Sequence, residues 1–397
     1  MEPLVLLGAA IIDGTGAEPI RKRAVVVEEG RISMVVDEAQ APRGERVDLS
    51  GHTLLPGLIN SHIHLCLGAE PDPVRALLQD PPAVTVVKMG LRAREIVEAG
   101  VTAVRDMGGR DHLELGIRHA ITQGWIPGPR MLAAGKPICM TGGHGHWLGR
   151  EADGADDARK AVREQLKAGA DVIKLIATGG VMTPGVEPGA SQLTLEEMRA
   201  AIEEARKAGR RTAAHAGGAQ GIADAIEAGI TTIEHGIFLT EEIVARMRRD
   251  GVFLVATLNA PAAIAAGGLA AGIPEFMVRK SEAVIAAHTA SFQLAMRSGV
   301  AIAAGSDAGT PLNPHGSLVP ELVLMVKCGM TPLQAIRSAT SVAAEALGLG
   351  SEIGRIAPGY TADLIAVAGD PAERVEALAD VRMVVLRGEA RRKEIHS

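Results

Sequence analysis

The chain has 397 residues, 47% hydrophobic and 22% charged, with a formal net charge of −6. That length can bury a large core, and the composition is that of an ordinary globular protein rather than a disordered one. The negative charge and an aromatic content of 2% argue against a nucleic-acid binder, which needs basic surface and rings for stacking.

Residues 1–56 carry short β-like runs at Leu4–Leu7, Ala24–Val27, Ile32–Val36 and Val47–Leu49, separated by Gly, Pro and charged turns. The N-terminus lacks the basic region of a signal peptide, and no apolar stretch is long enough to span a membrane. A cytoplasmic location is therefore expected, with neither a membrane nor a nucleic acid as partner. The same β pattern returns only in Ala362–Val367 and Val381–Leu386. Both ends of the chain are expected to complete one small β-sandwich domain, 1–56 plus 352–397, with residues 57–351 inserted between them.

The insert alternates strand and helix. Candidate strands end at His64, Asp106, Gly135, Ala177, His215 and His235, followed by Val252–Thr257 and Val300–Gly305. Helix-like segments lie between them, among them Leu195–Ala205, where Thr194 followed by Glu197 matches a capping box. Eight such units predict an α/β fold with parallel strands, a (β/α)8 TIM barrel. Residues 259–275, rich in Ala and Gly, fit either a mobile lid or an ordinary loop. Three scattered cysteines, Cys66, Cys139 and Cys328, give no disulfide framework. Cys66 reads as a buried packing thiol.

Chemistry concentrates at the strand ends. In Asn60-Ser61-His62-Ile63-His64, two histidines one residue apart project from the same face of a strand and can reach one point in space. The barrel reading adds Lys174, His215, His235 and Asp307 at the ends of the fourth, fifth, sixth and eighth strands. Four imidazoles, a lysine and an aspartate at one mouth fit a site for two divalent metal ions, zinc being the expected one. A neutral lysine amine reacts with carbon dioxide to give an anionic, bidentate carbamate able to bridge two cations, so Lys174 is the expected bridge. His62, His64 and Asp307 can hold one metal and His215 and His235 the other. Water shared between them becomes hydroxide near neutral pH, and Asp307 is the natural acceptor of its remaining proton.

The sequence resembles the amidohydrolase superfamily, in the branch of imidazolonepropionase-related, prolidase-like and ochratoxinase-like amide hydrolases. The motifs that carry the resemblance are Leu55-Pro56-Gly57-Leu58-Ile59-Asn60-Ser61-His62-Ile63-His64, Thr141-Gly142-Gly143-His144-Gly145-His146 and Ile173-Lys174-Leu175-Ile176-Ala177-Thr178-Gly179-Gly180. They continue with Ala214-His215-Ala216, Ile233-Glu234-His235-Gly236, Gly305-Ser306-Asp307-Ala308-Gly309 and the Gly354–Leu364 segment. The resemblance spans nearly the whole chain. It implies a carboxylated, metal-bridging Lys174, a return into the β-sandwich at Gly354–Leu364, and a His144 that polarises the scissile carbonyl. His146 reads as structural, His315 as a loop anchor, and His112, His119 and His288 as ordinary helix histidines.

The function expected is cleavage of an amide bond in a small substrate, a dipeptide of the Xaa-Pro type or an N-acyl amino acid, by an assembly of identical chains. Hydrolysis of another small amide, a cyclic imide or a lactone is the alternative. A non-catalytic scaffold is disfavoured because such relatives lose metal ligands, whereas all six are present here. One departure stands out. Prolidase-like members often carry a tyrosine two residues beyond the fifth-strand histidine to bind a substrate carboxylate, and this chain has Gly217 there.

Overall fold

The structure, a computed structural model, describes residues 2–394 and falls into two compact units. One takes the chain up to Asn60, Arg94–Ala103 and the described residues from Gly316 on; the other takes Ser61–Ala93 and Val104–His315.

The first unit contains two sheets. One orders Arg31–Asp37, Arg23–Glu28, Leu4–Leu7 and Glu45–Asp48; the other orders Glu389–Lys393, Val381–Leu386, Leu364–Ala368, His52–Pro56 and Ala10–Ile11. Period-two alternation decides which side chains meet. Val25 and Val27 join Leu6, Leu54, Leu364 and Val385 in one buried apolar cluster, while Ala24 and Val26 join Val5 on the opposite face. Strands from both ends of the sequence thus contribute to one core, as the returning β pattern suggested.

The second unit alternates strands and helices. Arg211–Ala216 pairs in parallel with Val172–Ile176 on one side and with Thr232–His235 on the other, and Thr232–His235 pairs in parallel with Phe253–Val255. Residues 61–63 and 104–106, together with Arg130–Ala133, add strand segments to this unit. Parallel-strand sheets with intervening helices fit a TIM barrel. The Leu195–Lys207 helix starts on the expected capping box, with Glu197 N–H donating to Thr194 Oγ1 and Thr194 N–H to Glu197 Oε2.

Two sequence expectations change. Val300–Gly305 forms no extended strand; Ile302 alone bridges to Leu254, with Leu254 N–H donating to Ala301 O and Ala303 N–H to Leu254 O, both at 2.9 Å. Alanine and glycine have little side chain to pack on a pleated surface, which limits the ladder. Residues 259–275 are not loop throughout. Asn259–Gly267 is a helix, because alanine is the strongest helix former and Pro261 falls in the first turn. Among the described residues no helix is long and apolar enough to cross a membrane.

Candidate metal centre

The strand ends of the second unit deliver the expected side chains to one cavity. Its lining includes His62, His64, His144, Lys174, His215, His235 and Asp307. One ligand atom each from His62, His235 and Asp307 lies within 4.8 Å of the others. His62 Nε2 and His64 Nε2 approach Asp307 Oδ1 at 3.3 and 3.5 Å. The His215 ring centroid lies 4.4 Å from that of His235 and 4.4 Å from that of His144. The tightest group takes one histidine from each of the two pairs expected from sequence.

A hydrogen bond on one ring nitrogen decides what the other can do. His62 Nδ1 donates to Glu234 Oε2 at 2.7 Å, and His64 Nδ1 donates to Gly108 O at 2.8 Å. His235 Nδ1 lies 2.7 Å from Thr257 Oγ1, whose own proton goes to Ala256 O, so the imidazole is the donor. His215 instead donates from Nε2, to Gly179 O at 3.0 Å. Each ring therefore keeps its other nitrogen unprotonated. Burial pushes all four imidazoles below the ordinary histidine range, His64 to about 4, so they are neutral as ligands must be.

Asp307 supplies the fit test for a cation. Its Oδ1 is buried and has no hydrogen-bond partner among the described residues, yet it faces the unprotonated Nε2 atoms of His62 and His64. Lone pairs converging in a buried space repel unless a cation lies between them, and a set of neutral imidazoles with a carboxylate suits a zinc-like ion. Burial pushes the Asp307 carboxyl up to about 7, opposed by the nearby Lys174 ammonium. Lys174 is itself buried, which lowers its ammonium to about 8.

The backbone at this site is strained. His235, Thr257 and Asp307 have φ of 72°, 54° and 56°, the left-handed region that side-chain-bearing residues rarely adopt. Such conformations persist only where the surroundings hold them, and they gather at functional sites. Asp307 is held by its N–H donating to His62 O at 2.8 Å and by Asn313 Nδ2 donating to its carbonyl at 3.0 Å. Gly305 carries no side chain for a steric reason: a Cβ there would lie 2.9 Å from His62 N and 2.5 Å from Val255 Cγ1.

His144 sits in its glycine-rich loop with Nδ1 2.9 Å from Thr183 Oγ1 and its N–H donating to Gln192 Oε1. A Cβ at Gly180 would lie 2.4 Å from His144 Nε2, so only glycine leaves that nitrogen room. His146 bonds back to Gly143 O, and His315 Nε2 donates to Leu67 O at 2.9 Å, both structural as expected. Cys66 is buried, and burial pushes its thiol far up, which fits a packing role.

Sequence reasoning missed the supporting shell. Glu234 Oε1 accepts from Arg105 Nη2 at 2.8 Å and from Thr232 Oγ1, and both Arg105 and Glu234 are buried. An arginine in mid-strand among apolar residues must have a buried acceptor, and Glu234 beside a ligand histidine was the available one. His288, read as an ordinary helix histidine, lines the cavity, and its Nε2 donates to His235 O at 3.0 Å. It shares one stripe of the Glu275–Arg297 helix with Lys280 and Val284.

This arrangement of strand-end imidazoles, a buried lysine and an aspartate defines a hydrolase class. The sequence matches the amidohydrolase family over residues 53–391, and the chain belongs to that family. It is 31% identical to ochratoxinase of Aspergillus niger over 414 aligned residues, covering 96% of this chain and 84% of the fungal protein. Among solved structures it is similar to a Xaa-Pro dipeptidase with methionine bound in the active site, at 31% identity and a TM-score of 0.92, covering 98% of this chain and 100% of that one. A prolidase complexed with N-methylphosphonate-L-proline gives 30% identity, a TM-score of 0.92 and the same coverage.

Replacing Glu234 by Gln removes the carboxylate that orients His62. Affinity for zinc, measured by competition with a chromogenic chelator, is expected to fall by about 10- to 100-fold, the usual effect of losing such a partner. Unchanged affinity would show that His62 is oriented by packing alone.

Proposed function

We propose that this chain hydrolyses an amide bond of a small substrate, using two divalent cations held by His62, His64, His215, His235, Asp307 and a carboxylated Lys174. The observation that carries the reading is the unpartnered Asp307 Oδ1 facing neutral imidazole nitrogens, beside a lysine whose ammonium is depressed to about 8. Cations held by these residues would supply acidification of a water molecule and polarisation of the scissile carbonyl. The activities of the relatives, Xaa-Pro dipeptidase and ochratoxinase, support an amide as the bond cleaved, and Xaa-Pro dipeptides and N-acyl amino acids are the first classes to assay.

Each residue's contribution follows from its surroundings. The depressed Lys174 pKa gives a usable fraction of neutral amine near pH 7, the form that adds to carbon dioxide. Asp307 takes a proton from the attacking water and returns it to the leaving nitrogen; a nearby dication would favour its ionised form over the raised pKa that burial alone produces. His144, fixed through Nδ1 by Thr183, offers Nε2 to the scissile carbonyl oxygen. We also propose that the parallel strands close into a (β/α)8 barrel across residues 57–351. Supporting this, Ser61 N–H donates to Ala304 O at 2.9 Å and Ile63 bridges in parallel to Ala308. Segments 1–56 and 352–397 then form the β-sandwich domain, for which the apolar cluster shared by the two terminal sheets is the support.

Lys174→Ala is expected to abolish activity, with partial rescue by short carboxylic acids that imitate a bridging anion. Near-wild-type turnover by Lys174→Arg, which cannot be carboxylated, would rule out the carbamate. For Asp307→Asn, an amide oxygen still coordinates weakly but cannot accept a proton. Its kcat is expected to drop by about 10²-fold or more, the usual worth of a positioned general base, with a smaller loss of bound metal. Full metal content together with more than about a third of wild-type kcat would place the proton acceptor elsewhere.

A further inference from the structure

The cavity has one polar end and apolar walls. Beyond the strand-end residues its lining includes Trp147, Leu148, Met182, Pro188, Ile237 and Ile264. Among the described residues the lining holds no arginine, and Lys174 is its only lysine.

The other cations of this region are committed to the protein itself. Lys280 Nζ donates to Gly180 O at 3.2 Å, to Thr183 O at 2.7 Å and to Val186 O. An ammonium has three donors, so these carbonyls exhaust it. Its effect is to pin the 180–186 segment, which supplies Val181 and Met182 to the cavity wall. Arg279 is exposed and pairs with Glu187. Arg105 donates to Ser61 O, Thr232 Oγ1 and Glu234 Oε1. The wall beside His215 is closed as well, because a Cβ on Gly217 would lie 2.7 Å from Pro188 O and 3.3 Å from Ile237 Cδ1.

We propose that the substrate is neutral and predominantly apolar on both sides of the scissile amide, as in an anilide, an N-alkyl amide or a capped peptide, and that a free carboxylate beside the leaving nitrogen is selected against. This rests on the amide-hydrolase reading above and narrows its substrate class. An ionised carboxylate placed against the apolar walls, away from the strand-end residues, loses its hydration and meets no lysine or arginine of the lining, which disfavours it. A phenyl or aliphatic group in the same place replaces water contacts by contacts with Trp147, Met182 and Ile264. In the reaction, water oxygen bonds to the acyl carbon, the C–N bond breaks, and the nitrogen leaves with a proton, giving one carboxylic acid and one amine.

Matched pairs differing only in that carboxylate decide the matter: N-benzoylphenylalanine against N-benzoyl-2-phenylethylamine, and N-acetylmethionyl-proline against N-acetylmethionyl-pyrrolidine, each assayed on the zinc-loaded protein. The neutral member is expected to have the higher kcat/KM by about 100-fold or more. Equal or faster turnover of the carboxylates would overturn the proposal while leaving amide hydrolysis intact. If neither member of either pair were cleaved, the amide-hydrolase reading would fail. Calorimetric Kd values for the same pairs would then still decide this proposal, tighter binding of the neutral members supporting it and equal or tighter binding of the acids overturning it.

Discussion

The site depends on a simple restriction of hydrogen-bonding chemistry: a neutral imidazole has one N–H and one lone pair. At His62, His64, His215 and His235 a protein acceptor takes the N–H, so the direction of the unprotonated nitrogen of each is fixed by the fold. Asp307 Oδ1 then faces further lone pairs rather than donors. In water such groups would be hydrated. In a buried space they call for a positive charge, which the nearby Lys174 ammonium supplies in part and a bound cation would supply directly.

Holding that arrangement is costly, and the scaffold shows how the cost is met. Left-handed backbone at His235, Thr257 and Asp307 costs on the order of 1–3 kcal/mol at each residue. The Arg105–Glu234 pair lies almost wholly out of water, where breaking one partner typically costs about 3–5 kcal/mol. The pair is therefore weak evidence for net stability. Its clearer role is orientation, since Glu234 presents one oxygen to Arg105 and the other to His62. Parallel strands bring these residues into register: His215 lies opposite Glu234, and Ala216 opposite His235.

The ligand candidates were legible in the sequence because strand alternation and strand ends are local patterns. His62 and His64 sit two apart on one strand, and Lys174, His215 and His235 each end or punctuate a short β-branched or alanine-rich run. The terminal strands were legible for the same reason, and the capping box at Thr194 needs only four residues to be recognised. What was not legible depends on distant partners. Arg105 and Glu234 are 129 positions apart, and His288 reaches His235 across 53. The Asn259–Gly267 helix was hidden because the glycines that follow its alanines read as loop residues, while the alanines themselves decided the structure. The commitment of Lys280 to three carbonyls is equally invisible in sequence.

Metal content measured by elemental analysis, on protein purified without chelator and after zinc supplementation, tests the central claim most directly. About two divalent ions per chain is the expected result, since six suitable ligands line one cavity. A stoichiometry at or below about one, persisting after supplementation, would contradict a lysine-bridged pair of cations.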